Sequence, residues 1–280
     1  MFPTIFRADL HCHSNCSDGS DSPQELIDIA LKEGLCGLSI TDHDTIRAYE
    51  TAVPYAAEKG LLLLSGVEFS SSHAEEPIHI LGYAFSLQAE PLQALCRKHR
   101  MRRRERNLEI LANLKRMGIT IEEEELGSSD THTVGRPHIA LLLIERGEVS
   151  TVQEAFARYL GEEKPAYASG EIISIDETIK AIHQSGGKAI LAHPQLIKRK
   201  RVFRKMLEMP FDGLEGYYAH LALDQEERYL DIAKERGFLI TGGSDYHGAV
   251  KPNNRLGSSW VDQETFTTLY NHYVAKEKTT

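Results

Sequence analysis

SPQELIDIALKEGLCGLSITDH, residues 22–43, contains one full copy of the unit that organises this chain. Ser22 with Glu25 three residues on reads as a capping box, and Pro23 takes the first helical position. Leu26, Ile27, Ile29 and Ala30 follow at helical spacing, and the helix stops at Lys32-Glu33-Gly34. An apolar run from Cys36 to Thr41 then ends at Asp42-His43. The unit returns as Ala56 to Gly60 followed by Leu61 to Val67, ending at Glu68. It returns as Ile179 to Gly187 followed by Lys188 to Ala192, ending at His193-Pro194. A last copy runs Tyr229 to Gly237, then Phe238 to Gly243, ending at Ser244-Asp245-Tyr246-His247. Apolar strands alternating with helices predict a parallel sheet covered by helices. This many copies predict a (β/α) barrel, whose chemistry gathers at the C-terminal strand ends. An open doubly wound sheet would carry a Gly-rich phosphate turn, and the sequence has none.

One stretch breaks the rhythm. From Arg97 to Ala168 the pattern is helical throughout, with a basic start and an acidic run at Glu122 to Glu125. The reading is a discontinuous barrel, residues 1–96 and 169–280, interrupted by an all-helical insertion, residues 97–168, that binds substrate.

The 280 residues are 41% hydrophobic and 26% charged, the composition of a globular protein with a sizeable core. No run approaches the roughly 18 apolar residues that span a bilayer. The N-terminus lacks a basic segment followed by an apolar one, and the four cysteines form neither a dense framework nor a Cys-x-x-Cys pair. Both features fit a reducing, cytoplasmic setting without membrane contact. The net charge of −9 argues against non-specific nucleic-acid binding by the whole surface.

Thirteen histidines stand out against that background. In Asp9-Leu10-His11-Cys12-His13, strand alternation turns His11 and His13 to one face and Cys12 to the other. A lone His-x-His is more often two ordinary histidines than a chelate. The other strand ends alter that balance, because they deliver Asp18, His43, Glu68, His79, His193, Asp245 and His247. Helix capping or core burial explains any one of these nine groups easily, but explains nine at equivalent positions poorly. Nine imidazoles and carboxylates exceed the coordination of a single ion, and they suit zinc, manganese or iron without thiolates. Asp42 could orient a liganding imidazole, while Asp44 reads as a cap for the next helix. Cys12 and Cys16 read as packing residues.

The ordered set Asp9 to Ser14, Ser17-Asp18-Gly19, Ile40 to Asp44, Gly66-Val67-Glu68, Ala192-His193-Pro194 and Ser244 to His247 resembles the motifs of the PHP (polymerase and histidinol phosphatase) family. The resemblance implies an α/β fold, a distorted (β/α)7 TIM-like barrel with a trinuclear metal centre. It implies one ion on His11, His13, Glu68 and Asp245, and a second on Glu68, His79 and His193 with Glu68 bridging. Asp18, His43 and His247 would hold a third. The cofactor reading is two to three divalent ions, Mn2+ first, with Zn2+, Fe2+ and Mg2+ as alternatives. Ions bridged by a carboxylate lie roughly 3.5–4 Å apart, where they share a hydroxide that attacks a phosphate ester. Asp245 and His193 are then catalytic as well as metal-binding.

Seven of the ten residues from Arg97 to Arg106 are Lys or Arg, a pattern that on most helices is only a solvated face. Val134-Gly135-Arg136-Pro137-His138 adds a turn able to project Arg136 and His138 together. Arg supplies a forked donor to phosphate oxygens, and His a second hydrogen bond or a proton for a leaving group. These segments, with Tyr159 to Tyr167, resemble a PHP branch acting on 3′,5′-bisphosphonucleotides, on AMP, or on RNA as 5′→3′ exoribonucleases. The resemblance implies Arg103, Arg106, Arg136 and His138 as substrate-binding residues, with His138 also catalytic. The partners are thus a small nucleotide and short RNA, with no obligate protein partner. A second basic run, Lys198 to Lys205, follows His193, and thirteen of the 32 Lys and Arg residues fall in the two runs. Tyr217, Tyr218 and His220, after Asp212 to Gly216, could stack a base, although core packing is commoner.

Competing readings are a histidinol-phosphate phosphatase, a metal-dependent amidohydrolase, and a nucleic-acid-binding module with structural metals. No lysine ends a strand where amidohydrolase sites place a bridging one.

Overall fold

A computed structural model describes residues 5–127, 133–171 and 173–277. The chain divides into two compact units, Met1–Cys96 with Ile173–Thr280, and Arg97–Ile172. The second unit ends four residues beyond the expected boundary at 168.

In the first unit the order is β1 (Ala8–Cys12), α1 (Pro23–Lys32), β2 (Gly37–Ile40), α2 (Tyr49–Lys59), β3 (Leu62–Leu63), β4 (Gly66–His73) and β5 (Glu76–Tyr83). Then α3 (Glu90–Arg116) begins, and the division between the units falls inside it. Within the second unit lie α4 (Arg136–Glu145) and α5 (Val152–Ala155), which continues as a π-helical turn to Leu160. The first unit resumes with α6 (Ile175–Gln184), β6 (Lys188–Leu191), α7 (Lys200–Leu207), β7 (Gly213–Tyr218), α8 (Leu223–Arg236), β8 (Leu239–Gly243) and α9 (Gln263–Glu277). The capping box read from Ser22 and Glu25 is present, with Pro23 at the helix start. No helix of the described residues is long and apolar enough to cross a membrane.

The strands hydrogen-bond as two sheets, β1-β2-β3 and β4-β5-β6-β7-β8, not as one continuous parallel barrel. The first sheet is parallel, as is β6-β7-β8, but β5 runs antiparallel to both β4 and β6. The cause is the connection: β4 and β5 are joined by Ala74-Glu75 alone, both left-handed at φ 49° and 66°, and a two-residue turn reverses the chain. The apolar run Leu61 to Val67 is likewise not one strand. It breaks after Leu63, and a new strand starts at Gly66 and carries Glu68 onward to His73. Tyr49 fills that break. Its hydroxyl donates toward the carbonyls of Ile40 (2.9 Å) and Leu64 (2.8 Å) and accepts from the Gly66 amide (2.7 Å).

The two sheets meet through two single parallel bridges, Cys12 with Tyr246 and His43 with Glu68, which lie at the β8 and β4 edges of the larger sheet. At the first, the His13 amide donates to the Tyr246 carbonyl and the Asp245 amide to the His11 carbonyl, each at 2.8 Å. Gly243 permits this approach, because a Cβ there would collide with the His11 backbone. At the second, the Asp44 amide donates to the Glu68 carbonyl at 2.9 Å. Both bridges bring candidate ligands together. Side chains on the far face of β1 pack outward, Leu10 with Leu81, Ile190 and Phe266, and Cys12 with Leu26, Leu38 and Ile40. The second unit has its own apolar core, including Ile110, Leu114, Ile139, Leu143 and Leu160.

Candidate metal centre

Glu68 is 1% exposed, yet its carboxylate faces five imidazoles. Oε1 lies 2.8 Å from both His79 Nδ1 and His193 Nε2. Oε2 lies 3.3 Å from His11 Nε2, 3.1 Å from His13 Nε2 and 3.4 Å from His43 Nδ1. The five rings close a circuit, with successive centroids His11–His13 5.3 Å, His13–His43 4.8 Å, His43–His79 5.0 Å, His79–His193 5.1 Å and His193–His11 5.8 Å. A carboxylate at the centre of such a ring can divide its two oxygens between two ions.

Asp245 and Asp18 flank the circuit. Asp245 Oδ1 lies 3.5 Å from His11 Nε2, 3.4 Å from His13 Nε2 and 3.5 Å from His247 Nδ1. Asp18 reaches His13 at 3.6 Å, His43 at 3.8 Å and His247 at 3.4 Å. Three sets of donor atoms are close enough to share an ion: His13, Asp18, His43 and His247; His11, His13 and Asp245; and His43, Glu68 and His79. These differ in detail from the sets the resemblance implied. His13 and His43 each belong to two sets, and His193 meets the group through Glu68 Oε1 instead of within a set. All nine residues nonetheless converge.

The donor chemistry fits divalent ions. Both ring nitrogens of His13 and Nδ1 of His43 are buried without a hydrogen bond, a costly arrangement unless something binds them. Burial, above all, depresses His43 to about 4 and His247 to about 3, which keeps both rings neutral as a ligand nitrogen must be. Burial also opposes charge on His13, but Asp245 and Glu68 outweigh it and raise that ring to about 9. The same cluster holds Glu68 and Asp245 well below the usual carboxylate range despite their burial. An excess of negative charge around buried imidazoles is what a cation would neutralise.

Two candidate ligands sit in left-handed backbone, His193 at φ 25° and Asp245 at φ 51°. For residues other than glycine this conformation is costly and must be held by its surroundings. Glu215 on β7 supplies part of that hold. Fully buried, it accepts from His11 Nδ1 at 2.8 Å with one oxygen and from the His193 amide at 2.7 Å with the other. Asp245 is held through Oδ2 by the Tyr218 hydroxyl at 2.6 Å and Lys251 Nζ at 2.8 Å, leaving Oδ1 toward the imidazoles. The sequence reading missed Glu215 and Lys251 as site residues. A carboxylate inside an apolar strand run, at Leu214-Glu215-Gly216, was the available signal for the first. Lys251 lies in a loop, and nothing marked it.

Other readings change. Among the described residues Asp42 makes no hydrogen bond to an imidazole; it accepts from the Ser14 amide and from the hydroxyls of Ser14 and Ser17, fixing the turn that carries Asp18. Asp44 does not cap α2, which starts at Tyr49 with Ala48 as its cap, and it accepts instead from the Ser70 amide. Asp9, fully buried, accepts from the amides of His11, Ser244 and Gly257, joining β1 to the segment after β8. Cys12 packs in the core, as read. Tyr217 also packs in the core, and His220 bonds the Asn253 carbonyl at 2.9 Å.

In the second unit, Gly135-Arg136-Pro137-His138 is the start of α4, not an isolated turn. The Gly135 amide donates to His138 Nδ1 at 3.1 Å, so the neutral ring carries its proton on Nε2. Arg136 donates to the Leu160 carbonyl at 3.2 Å and lies over the rings of Phe156 and Tyr167 at 5.6 and 5.4 Å. Arg103 comes so close to Gly135 that a Cβ there would lie 3.3 Å from its guanidinium. Arg106 is buried and donates to Asn107 at 3.3 Å. Arg103, Arg136 and His138 thus lie around the first turn of α4, and Arg106 sits beside Asn107, which donates to the Val134 carbonyl at 3.1 Å.

The PHP domain model matches residues 9–163. A "5′-3′ exoribonuclease" of Haemophilus influenzae is 35% identical over 85% of this chain and 89% of its own length. A "3′,5′-nucleoside bisphosphate phosphatase" of Chromobacterium violaceum is 30% identical over 89% of this chain and 90% of its own. A crystal structure from Bifidobacterium adolescentis, assigned as a metal-dependent phosphoesterase, superposes with a TM-score of 0.85 at 30% identity, covering 95% of this chain and 96% of that one. The matched domain includes six of the nine converging groups, His11 to His79, and the first turn of α4, and the two relatives align over 85% and 89% of the chain; the chain belongs to the PHP domain family.

Proposed function

We propose that this protein is a metal-dependent phosphoesterase acting on small nucleotides, 3′,5′-bisphosphonucleotides or AMP, and on short 5′-phosphorylated RNA. The observation that carries the reading is the convergence of six histidines and two aspartates with one buried Glu68. The nine residues His11, His13, Asp18, His43, Glu68, His79, His193, Asp245 and His247 are assigned as ligands to two or three divalent ions, with Mn2+ first among them. The two sheets, bridged at two points beside these ligands, are read as the distorted barrel of the family.

Bound divalent ions supply Lewis-acid polarisation of the phosphoryl oxygens and a water nucleophile active at neutral pH. The chain's own residues do the rest. Glu68 and Asp245 hold negative charge at the centre of the imidazoles, and Glu215 fixes His11 with Nε2 directed inward. Water attack breaks a P–O ester bond, and the departing oxygen takes a proton. That proton comes from water, and His138 is assigned to the catalytic role of steadying the departing oxygen by a hydrogen bond from Nε2–H, while Arg103, Arg106 and Arg136 are assigned to the substrate's phosphate oxygens.

A panel of 3′,5′-bisphosphoadenosine, AMP, a 5′-phosphorylated oligoribonucleotide and histidinol phosphate, run with Mn2+, Mg2+ and Zn2+, tests the reading. Turnover of the nucleotides well above histidinol phosphate is expected; the reverse order assigns the other substrate class. Arg136→Ala and His138→Ala should lower kcat/KM by about 10²- to 10⁴-fold while leaving metal content intact. Metal loss in either variant by elemental analysis would place that residue among the ligands instead.

A further inference from the structure

We propose that the exposed face of α7 is a docking track for single-stranded RNA, leading away from the metal centre. This rests on the nucleotide and RNA phosphoesterase reading above. The helix has two distinct faces: Val202, Phe203, Met206 and Leu207 are buried, whereas Lys200, Arg201, Arg204 and Lys205 are exposed. Positions i, i+1, i+4 and i+5 fall on one side of a helix, so the four cations form a single stripe. Among the described residues Lys200, Arg201 and Arg204 have no ion pair, and Lys205 has only Glu208 at 3.2 Å, with both side chains more than half exposed. Such a pair is worth little and leaves the charge available.

The stripe is anchored beside the site. Its first residue comes seven positions after His193. Glu76, only 5% exposed, accepts from the backbone amides of Lys198 and Arg199 and from Arg199 Nε at 2.9 Å, while Arg199 also donates to the Ala74 carbonyl. Glu76 opens β5 three residues before His79, a distance of about 10 Å along a strand. A buried carboxylate therefore ties the start of the stripe to a strand that carries a candidate ligand. A merely solvated helix does not require that tie, whereas a track whose register matters gains from being ordered in advance.

Charge complementarity selects the occupant. The chain carries −9 overall, and this stripe is a local reversal suited to a regularly spaced polyanion. Four cations without interleaved aromatics on the same face suit phosphate contacts, which position a strand and do not read its bases.

The test places Lys200→Gln, Arg201→Gln, Arg204→Gln and Lys205→Gln together in an Asp245→Asn background. Glutamine keeps helix propensity near that of lysine and arginine. Binding of a fluorescent, 5′-phosphorylated 12-nucleotide RNA is followed by anisotropy from 50 to 200 mM KCl. The comparison protein, on the same background, carries Lys32→Gln, Lys59→Gln, Lys180→Gln and Lys234→Gln, an equal charge change on other helices. Unfolding midpoints report whether each protein is folded, and Arg204→Gln alone serves if the quadruple variant is not. If the stripe meets two to four phosphates, its loss lowers the slope of log K against log salt by about 1.5 to 3 and weakens binding at 50 mM at least about tenfold. The comparison protein should bind like the background. Equal slopes for both, or the same loss for a poly-glutamate peptide of matching charge, would overturn the track. Turnover of 3′,5′-bisphosphoadenosine by the native protein tests the phosphoesterase reading separately.

Discussion

Glu215 shows how one buried side chain can hold two ligands in place. One of its carboxylate oxygens accepts from Nδ1 of His11, which directs that ring's Nε2 inward. Its second oxygen takes the amide of His193, whose backbone is held in the left-handed region. Glu215→Gln keeps the shape but replaces one acceptor with a donor. Either the His193 amide loses its partner, or His11 turns to the tautomer whose Nε2 bears hydrogen and cannot ligate. Metal affinity should therefore fall about 10- to 100-fold, measured by calorimetric titration of metal-free protein with Mn2+. Unchanged affinity would show that Glu215 serves the fold alone. At this scale most of the ligands were legible because they follow recurring apolar runs, although Glu68 and His79 lie inside β4 and β5 and not at their ends. Their supports were not, because Glu215 acquires its role only when β1 and the end of β6 come to either side of it.

At the scale of elements, the departures from a regular barrel lie where candidate ligands concentrate. The β4–β5 hairpin gives Glu68 and His79 on neighbouring strands without an intervening helix. Its turn is Ala74-Glu75, without the Asn-Gly signature of such turns, so the reversal could not be read from composition. The break between β3 and β4 was equally hidden, since Leu61 to Val67 is apolar throughout and only tertiary contact with Tyr49 interrupts it. The Tyr49 hydroxyl replaces missing ladder bonds, sharing its one proton between two carbonyls and accepting from one amide. Tyr49→Phe leaves those groups buried and unpartnered, at about 1–3 kcal/mol for a group of this kind. Unfolding in urea should show a loss of roughly 2–4 kcal/mol, with unchanged dependence on denaturant. A loss under 0.5 kcal/mol would mean that water or backbone shifts replace the hydroxyl.

For the whole molecule, an acidic average of −9 coexists with two basic segments and a cluster of buried carboxylates. The ordered motifs identify the family because each is attached to a strand or to the turn that follows one, and that attachment survives irregular pairing between strands. What the motifs could not show is the division of the strands into two sheets. That depends on hydrogen bonding across Cys12–Tyr246 and His43–Glu68, pairs separated far along the chain. The central claim, that the nine converging groups form a metal centre that hydrolyses nucleotide phosphate esters, meets its most direct test in reloading. Metal-free protein is titrated with Mn2+ while phosphate release from 3′,5′-bisphosphoadenosine is followed, for the native chain and for Asp245→Asn. Release should rise with occupancy to two or three ions per chain and be abolished in Asp245→Asn, whereas release by the metal-free protein, or equal rates in the two proteins, would contradict the account.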